Sequence, residues 1–235
     1  MPFLTATWRD LVMVNWSVPP EILEPWLPKG CKIDKFRGKT YVSLVAFLFE
    51  NTRVLGISIP GHRNFEEVNL RFYVTRNTDE GEVRRGVVFI REFVPKPLIA
   101  LVARLIYREP YHWLAMSHHD QRDHEGKRRI RYRWGGNWIS TPIGETSQLL
   151  KPNSVEQFIA EHYWGYTKTK RGTREYRVQH PSWNWRSIDD YDSKIDFADL
   201  YGSEWGFLAN QSPECIFIAE GSDVSVDPWD HITAG

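Results

Sequence analysis

The segment Phe65–Val74 constrains the fold of this chain more than any other part of its sequence. Side chains alternate between the two faces of a strand, and one face of this segment carries only apolar side chains from position 68 onward. The other face carries an acid, an amide, a guanidinium and a phenol, at Glu67, Asn69, Arg71 and Tyr73. Such a row forms a solvated sheet face, an internal ion pair or the lining of a polar pocket, and the sequence leaves these alternatives open.

The rest of the chain predicts an α+β fold that is mainly β and antiparallel. Short apolar runs alternate with turn residues, and a few segments have helical character. Since no repeat, linker or low-complexity tract interrupts the 235 residues, we expect one domain over residues 1–235. The predicted strands are Lys39–Phe49, Phe65–Arg76, Gly86–Arg91, Tyr111–Ser117, Arg129–Trp134, Thr173–His180 and Cys215–Glu220. The predicted helices are Pro19–Leu27, Leu98–Tyr107 and a segment capped by Ser154 with Gln157 as its capping-box partner.

Charge and hydropathy limit the classes of partner. The 30 basic and 30 acidic residues cancel, so we expect no nucleic acid partner. The densest basic patch, Lys127–Arg129 with Arg131 and Arg133, is therefore interpreted as a solvated strand face. No uncharged apolar stretch approaches the roughly 18 residues of a membrane span, and residues 1–5 lack a signal-peptide pattern. We therefore expect a cytoplasmic protein with no membrane partner, in which Cys31 and Cys215 are buried free thiols.

The run His118–His124 suggests a metal site at first sight. Its histidines and acids would share a face only in a helix, and the flanking strands predict a hairpin loop from His118 to Lys127 instead. We expect no metal site here. Neither a phosphate-binding glycine loop nor a Gly-x-Ser-x-Gly nucleophile motif is present, and no cofactor is required by the sequence.

Several motifs occur in the order found in one known family. They are Trp8 with Asn15–Pro19 and Trp26–Gly30, then Phe65-x-Glu67-x-Asn69-x-Arg71-x-Tyr73-Val74, Ala103-Arg104-x-x-Tyr107-x-x-Pro110-Tyr111, Ser154-x-Glu156-x-Phe158 with Tyr163, and His180-Pro181-x-Trp183. On these motifs the chain resembles the YqjF-like family of uncharacterised proteins. That family is similar in fold to acetoacetate decarboxylase, which implies a large, cone-like antiparallel β-barrel with a few flanking or plugging helices around a pocket.

The resemblance also shows where this chain departs from the decarboxylases. Those enzymes hold their substrate through a Schiff base to a lysine. Where they place Phe-Pro-Lys-Lys, the nearest match here is Glu109–His112, so tyrosine and histidine occupy the two lysine positions. The resemblance therefore implies no acetoacetate-type decarboxylation, while Glu67 resembles the pocket glutamate of the relatives.

The leading hypothesis is a pocket that binds a small organic acid or carbonyl compound, and its extension is that the pocket also transforms this ligand by proton transfer. Arg104, within an apolar helix, either meets a buried partner such as Glu67 or extends to solvent from the helix edge. The alternatives are a non-catalytic ligand-binding or sensing protein and a structural barrel, and a homo-oligomer is compatible with each. The candidate catalytic residues are Glu67 and His112, and the candidate substrate-binding residues are Asn69, Arg71, Arg104, Tyr111, His180 and Trp183.

Overall fold

The computed structural model describes residues 1–122, 124, 126–170, 172–188 and 190–232. Its strands are β1 (Leu4–Val18), β2 (Cys31–Ile33), β3 (Thr40–Val54), β4 (Phe65–Asn77), β5 (Val83–Val94), β6 (Tyr111–Trp113), β7 (Met116–Arg122), β8 (Arg128–Trp134), β9 (Asn137–Pro142), β10 (Gln148–Leu149), β11 (Trp164–Thr169), β12 (Gly172–Gln179), β13 (Asn184–Ser187), β14 (Asp192–Lys194), β15 (Cys215–Ala219), β16 (Asp223–Val226) and β17 (Asp230–Ile232). The α-helices are α1 (Pro97–Ile106), α2 (Val155–Ala160) and α3 (Phe197–Tyr201), and 3₁₀ helices occupy Pro20–Ile22, Glu24–Trp26 and Ser203–Ala209.

The large sheet is organised around the long antiparallel strands β1, β3, β4 and β5. β3 lies between β1 and β4, and β5 pairs with the other edge of β4. β1 turns at Asp10, which has φ 51°, and pairs along its opposite edge with β15 and β16. β5 also forms two short parallel pairings, one with β6 and one with β11, which add these strands to the large sheet. The segment before β6 is thereby brought beside the polar row of β4.

β4 is buried on both faces. Its apolar row packs into one core cluster together with residues of β8 and α3, such as Tyr132 and Phe197. Its polar row faces a second apolar cluster, which contains Phe47, Phe65 and Ala100. The solvated-face interpretation of the polar row is therefore wrong, because both sides of this strand are covered by other elements.

A smaller sheet, in the order β14-β9-β8-β7, packs against the large one. The predicted hairpin loop from His118 to Lys127 is wrong at its start. β7 continues to Arg122 and pairs residue by residue with β8, so cross-strand pairing outweighs the polar composition of this run. Asp123, which belongs to the run considered for a metal site, lies outside the described residues.

Two helices follow their predicted signals closely. α1 begins at Pro97, as expected for proline in a first helical turn, and ends before Pro110. The Ser154 Oγ caps α2 by accepting a hydrogen bond from the Gln157 N–H at 3.1 Å. The Gln157 side chain also hydrogen-bonds to the backbone before the helix. Its Oε1 accepts from the N–H of Asn153 at 2.9 Å, whereas a capping box would use the N–H of Ser154, one residue later.

The predicted fold class is confirmed in its coarse form: a strand-rich chain with a large sheet and a few helices. Neither β1 nor α3 was predicted from the sequence. The helix predicted over Pro19–Leu27 is two short 3₁₀ helices, and the strand predicted over Tyr111–Ser117 is divided between β6 and β7. Both cysteines are free thiols, as predicted; Cys31 is buried, whereas Cys215 is only partly buried, so the predicted burial is confirmed for Cys31 alone. Among the described residues, no helix is both long and apolar enough to cross a membrane.

Candidate functional site

A cavity of about 240 Å³ lies against the polar row of β4, and we call it the central cavity. α1 covers part of it through Ile99, Val102 and Ala103, and the exposed side chains of Ile57 and Leu98 form an edge that reaches the surface. Its walls are mainly apolar and aromatic. Its charged and polar lining residues are Thr52, His62, Glu67, Asn69, Arg71, Glu92, Tyr107, Glu109, Tyr111 and Tyr176.

Glu67 is held on both of its carboxyl oxygens. The Asn69 Nδ2 donates to Oε1 at 3.0 Å, and the Tyr111 hydroxyl donates to Oε2 at 2.9 Å. The residue is only 3% exposed. Burial raises the pKa of Glu67 to about 7, although both hydrogen bonds and the nearby Arg71 guanidinium favour the ionised form. A carboxyl with a pKa near neutrality can both accept and donate a proton at physiological pH.

Two more buried glutamates share the cavity. Glu92 lies opposite Asn69 across β4 and β5, and its pKa is raised well above the ordinary value by burial and then by Glu109 and Glu67. Glu109 precedes β6, and its Oε1 accepts from the hydroxyls of Thr167 at 2.5 Å and Tyr176 at 3.0 Å. Burial raises the pKa of Glu109 to about 7. Burial, and after it repulsion from the neighbouring acids, favours the neutral forms of Glu92 and Glu109, so the cavity can offer carboxylic O–H donors.

Arg71 supplies the positive charge of the cavity. It is 8% exposed, and no other arginine and no lysine lines the cavity within the described part of the chain. Its guanidinium lies 5.8 Å from the centre of the Tyr73 ring, and its Nε has no hydrogen-bond partner. A buried N–H without a partner is costly, so this donor is available to an acceptor group on a ligand.

A tyrosine lies in the cavity at the first of the two positions where the sequence resemblance would place a lysine. Tyr111, at the first of the two matching positions, lines the cavity and hydrogen-bonds Glu67. All ten lysines of the chain lie in the described residues, and none lines the cavity. No lysine amine is therefore present in the cavity lining to form a Schiff base.

The other residues predicted for the site lie elsewhere. Arg104 is exposed on α1, so the interpretation with a buried partner is wrong and the solvent-facing one holds. His112 is exposed on β6 and lies outside the cavity lining, with its ring 6.0 Å from that of Phe93. β6 turns alternate side chains to opposite faces, so Tyr111 and His112 cannot both enter the cavity.

His180 and Trp183 form a stacked pair behind the cavity wall. Their ring centroids are 4.0 Å apart, and the Trp183 centroid is 6.0 Å from that of Trp8, which lines the cavity. Burial lowers the pKa of His180 to about 4. His180 also borders a wider surface depression of about 770 Å³. That depression contains none of the buried acids, so we place the candidate site in the central cavity.

Sequence reasoning identified Glu67, Asn69, Arg71 and Tyr111 but missed Glu92 and Glu109. A signal for Glu92 was present, since it is an acid within the apolar run of β5, where an unpaired charge is expensive. Glu109 stands directly before the Pro110 that separates α1 from β6. Among the described residues, no group of three histidine, cysteine, aspartate or glutamate side chains is arranged to hold a metal ion.

Comparison with known proteins places the chain in a family. The family DUF2071, described as an uncharacterized conserved protein, matches residues 5–223. The uncharacterized protein YqjF of Bacillus subtilis (strain 168) is 26% identical over 203 residues, which are 85% of this chain and 81% of YqjF.

Solved structures show the same fold at low sequence identity. Acetoacetate decarboxylase from Legionella pneumophila superposes with a TM-score of 0.66 at 10% identity, over 99% of this chain and 88% of that one. The enduracididine biosynthesis enzyme MppR complexed with pyruvate superposes with a TM-score of 0.62 at 11% identity, over 98% of this chain and 91% of that one. An acetoacetate decarboxylase-like enzyme from Sphingomonas wittichii RW1 superposes with a TM-score of 0.64 at 12% identity, over 99% of this chain and 93% of that one. With the match over residues 5–223, the chain belongs to the DUF2071 family and has an acetoacetate decarboxylase-like fold.

Proposed function

We propose that the central cavity binds a small organic acid or carbonyl compound and that Glu67 exchanges a proton with it, without covalent attachment to the protein. One observation carries the proposal. An apolar cavity holds a buried arginine with a free N–H beside a buried carboxyl whose pKa is about 7. The first group suits an anionic or carbonyl oxygen, and the second suits proton transfer.

The proposed ligand binds through the buried polar groups of the cavity that have no hydrogen-bond partner within the protein. The Arg71 guanidinium donates to a ligand carboxylate or carbonyl oxygen, and the free Asn69 Oδ1 accepts from a ligand hydroxyl. In their protonated forms Glu92 and Glu109 can donate to the ligand, because each has an oxygen without a partner. Aromatic side chains such as Phe47 and Phe65 supply the apolar walls. An apolar cavity of about 150 Å³ holds benzene, so a cavity of about 240 Å³ has room for a ligand of about ten heavy atoms.

The proposed reaction is proton abstraction from the carbon next to a carbonyl group. The C–H bond breaks, the proton passes to an oxygen of Glu67, and the electron pair moves to the carbonyl oxygen to give an enolate. Arg71 stabilises the negative charge that develops on that oxygen. Return of the proton to the same carbon restores the starting compound, so the step balances without a co-reactant.

The relatives support a keto acid as the first ligand to test. MppR has been solved in complex with pyruvate and with the condensation product of pyruvate and imidazole 4-carboxaldehyde. Acetoacetate, the substrate named for the decarboxylases, is also a keto acid. Since no lysine lines this cavity, we propose that the ligand stays noncovalent here and that Tyr111 orients Glu67 in place of the lysine.

The test follows loss of the pyruvate methyl proton signal in D₂O by NMR. Wild type should exchange these protons, Glu67→Gln should bind pyruvate without exchange, and Arg71→Gln should do neither. Glu66→Gln is the matched control, because Glu66 is the neighbouring acid and contacts His118 at 2.7 Å instead of the cavity. Binding by wild type with no exchange at any pH would identify a non-catalytic binding protein. Exchange that persists in Glu67→Gln would refute the assigned role.

A further inference from the structure

A second concave site lies on the small sheet, away from the central cavity. Alternation along β8 places Arg129, Arg131 and Arg133 on one face, while Ile130 and Tyr132 are buried on the other. We call the first side the arginine face. It borders a cleft of about 280 Å³ lined by His119, Gln121, Arg129, Arg131, Arg133 and Ser140.

The three arginines of this face have no acidic partner in the described part of the chain. None of them forms an ion pair or a side-chain hydrogen bond there, although all lie within one cleft. Arg128, on the other face of β8, binds Asp10 at 2.6 Å and Asp120 at 2.7 Å. Asp10 and Asp120 are therefore paired with Arg128 on the face of β8 opposite the arginine face. Like charges placed on alternate residues repel one another, so the row is stabilised when an anion joins it.

Two features make the cleft more than a row of solvated charges. Ser140 is 1% exposed and lies opposite Arg131 in the pairing of β8 with β9, yet its Oγ has no hydrogen-bond partner. The guanidinium carbon of Arg131 lies 4.8 Å from the centre of the Trp138 ring, which restricts the side chain while leaving N–H edges free. A buried hydroxyl and a fixed guanidinium thus face the same space.

The remaining charged neighbours do not neutralise the face. His119 lies opposite Arg131 on the β7 side. On the far edge of the sheet, Asp192 pairs with Ser140 and Lys194 pairs with Trp138, and both charged side chains are exposed. These two opposite charges cancel, so the net charge of the arginine face remains that of its three arginines.

We propose that the arginine face is a binding site for a small molecule that carries a di- or triphosphate group. Alternate residues on a strand are roughly 7 Å apart, so two neighbouring guanidiniums can contact one phosphate group and the third can contact the next. Guanidinium forks match phosphate oxygens in bidentate geometry. The cleft is small and the chain has no net charge, which favours a compact ligand over a nucleic acid.

Isothermal titration calorimetry with inorganic tripolyphosphate at low salt tests the site. Wild type should bind tripolyphosphate, and it should bind orthophosphate more weakly. Arg131→Gln and Arg129→Gln should each weaken tripolyphosphate binding about tenfold, since a hydrogen bond between charged groups is lost. Ser140→Ala should weaken it about fivefold without unfolding the protein, because it removes only a hydroxyl that has no partner.

Arg122→Gln is the matched control, because it removes one arginine from the opposite face of the same hairpin. Its affinity should equal that of wild type, and far-UV circular dichroism should show that every variant is folded. Failure of wild type to bind tripolyphosphate, or an equal loss in Arg122→Gln, would overturn the proposal. Citrate binding as tight as that of tripolyphosphate would overturn the phosphate assignment. Tighter binding of an oligothymidine strand would overturn the small-molecule assignment in favour of nucleic acid.

Discussion

Replacing Glu109 by glutamine should stabilise the protein at alkaline pH and leave it unchanged in acid. In the folded protein the pKa of Glu109 is about 7, raised by burial, against an ordinary value of 4.5 in an unfolded chain. Below pH 4.5 both states hold the proton, so the group has no effect on stability. As the pH rises to 7, the unfolded chain releases the proton while the folded protein retains it, and the free energy of unfolding falls.

The difference between the two pKa values corresponds to about 3 kcal/mol, which is fully developed above pH 7. Glu109→Gln removes this penalty and keeps the oxygen that accepts from Thr167 and Tyr176. The variant should therefore match wild type at pH 4 and exceed it by about 3 kcal/mol at pH 8.

Urea unfolding at a series of pH values, followed by tryptophan fluorescence, measures this difference directly. The exposed Glu21 provides a control, since Glu21→Gln should leave the difference near zero throughout. A Glu109→Gln curve that runs parallel to wild type from pH 4 to pH 8 would refute the raised pKa of the Glu109 carboxyl. So would a variant less stable than wild type at pH 8.

Three further predictions concern the cavity and the core. Tyr111→Phe removes a hydrogen bond that lowers the pKa of Glu67, so the pH profile of pyruvate proton exchange should move to higher pH; an unmoved profile would contradict the contact. Gly165→Ala places a methyl group 2.1 Å from the Tyr176 ring, so it should destabilise the protein by about 2 kcal/mol or more in chemical unfolding, and wild-type stability would contradict the packing. Burial raises the pKa of Cys31 and of Cys215 to about 12, so iodoacetamide at pH 8 should label both slowly in the native protein and rapidly in urea; fast native labelling would contradict their burial.

The polar row of β4 illustrates how much the sequence can predict. Alternation alone grouped Glu67, Asn69 and Arg71 on one face, because strand periodicity is a local property. Alternation could not decide whether that face met solvent or a cavity. That depends on α1 and the aromatic cluster, which pack against the row from distant parts of the chain.

Glu92 and Glu109 mark the limit of local patterns. Their importance comes from meeting Glu67 in space, and this meeting depends on the short parallel pairing of β5 with β6. Nothing in the sequence near Glu109 specifies that pairing. β1 was also missed, since its apolar residues are interrupted by Arg9 and Asp10, where the strand turns.

A crystal structure of the protein with bound pyruvate tests the central claim most directly. The account predicts pyruvate in the central cavity, with an oxygen within about 3 Å of the Arg71 guanidinium, its methyl carbon facing Glu67 and no bond to any lysine. Pyruvate bound in the depression beside His180, or joined to a lysine Nζ, would contradict it.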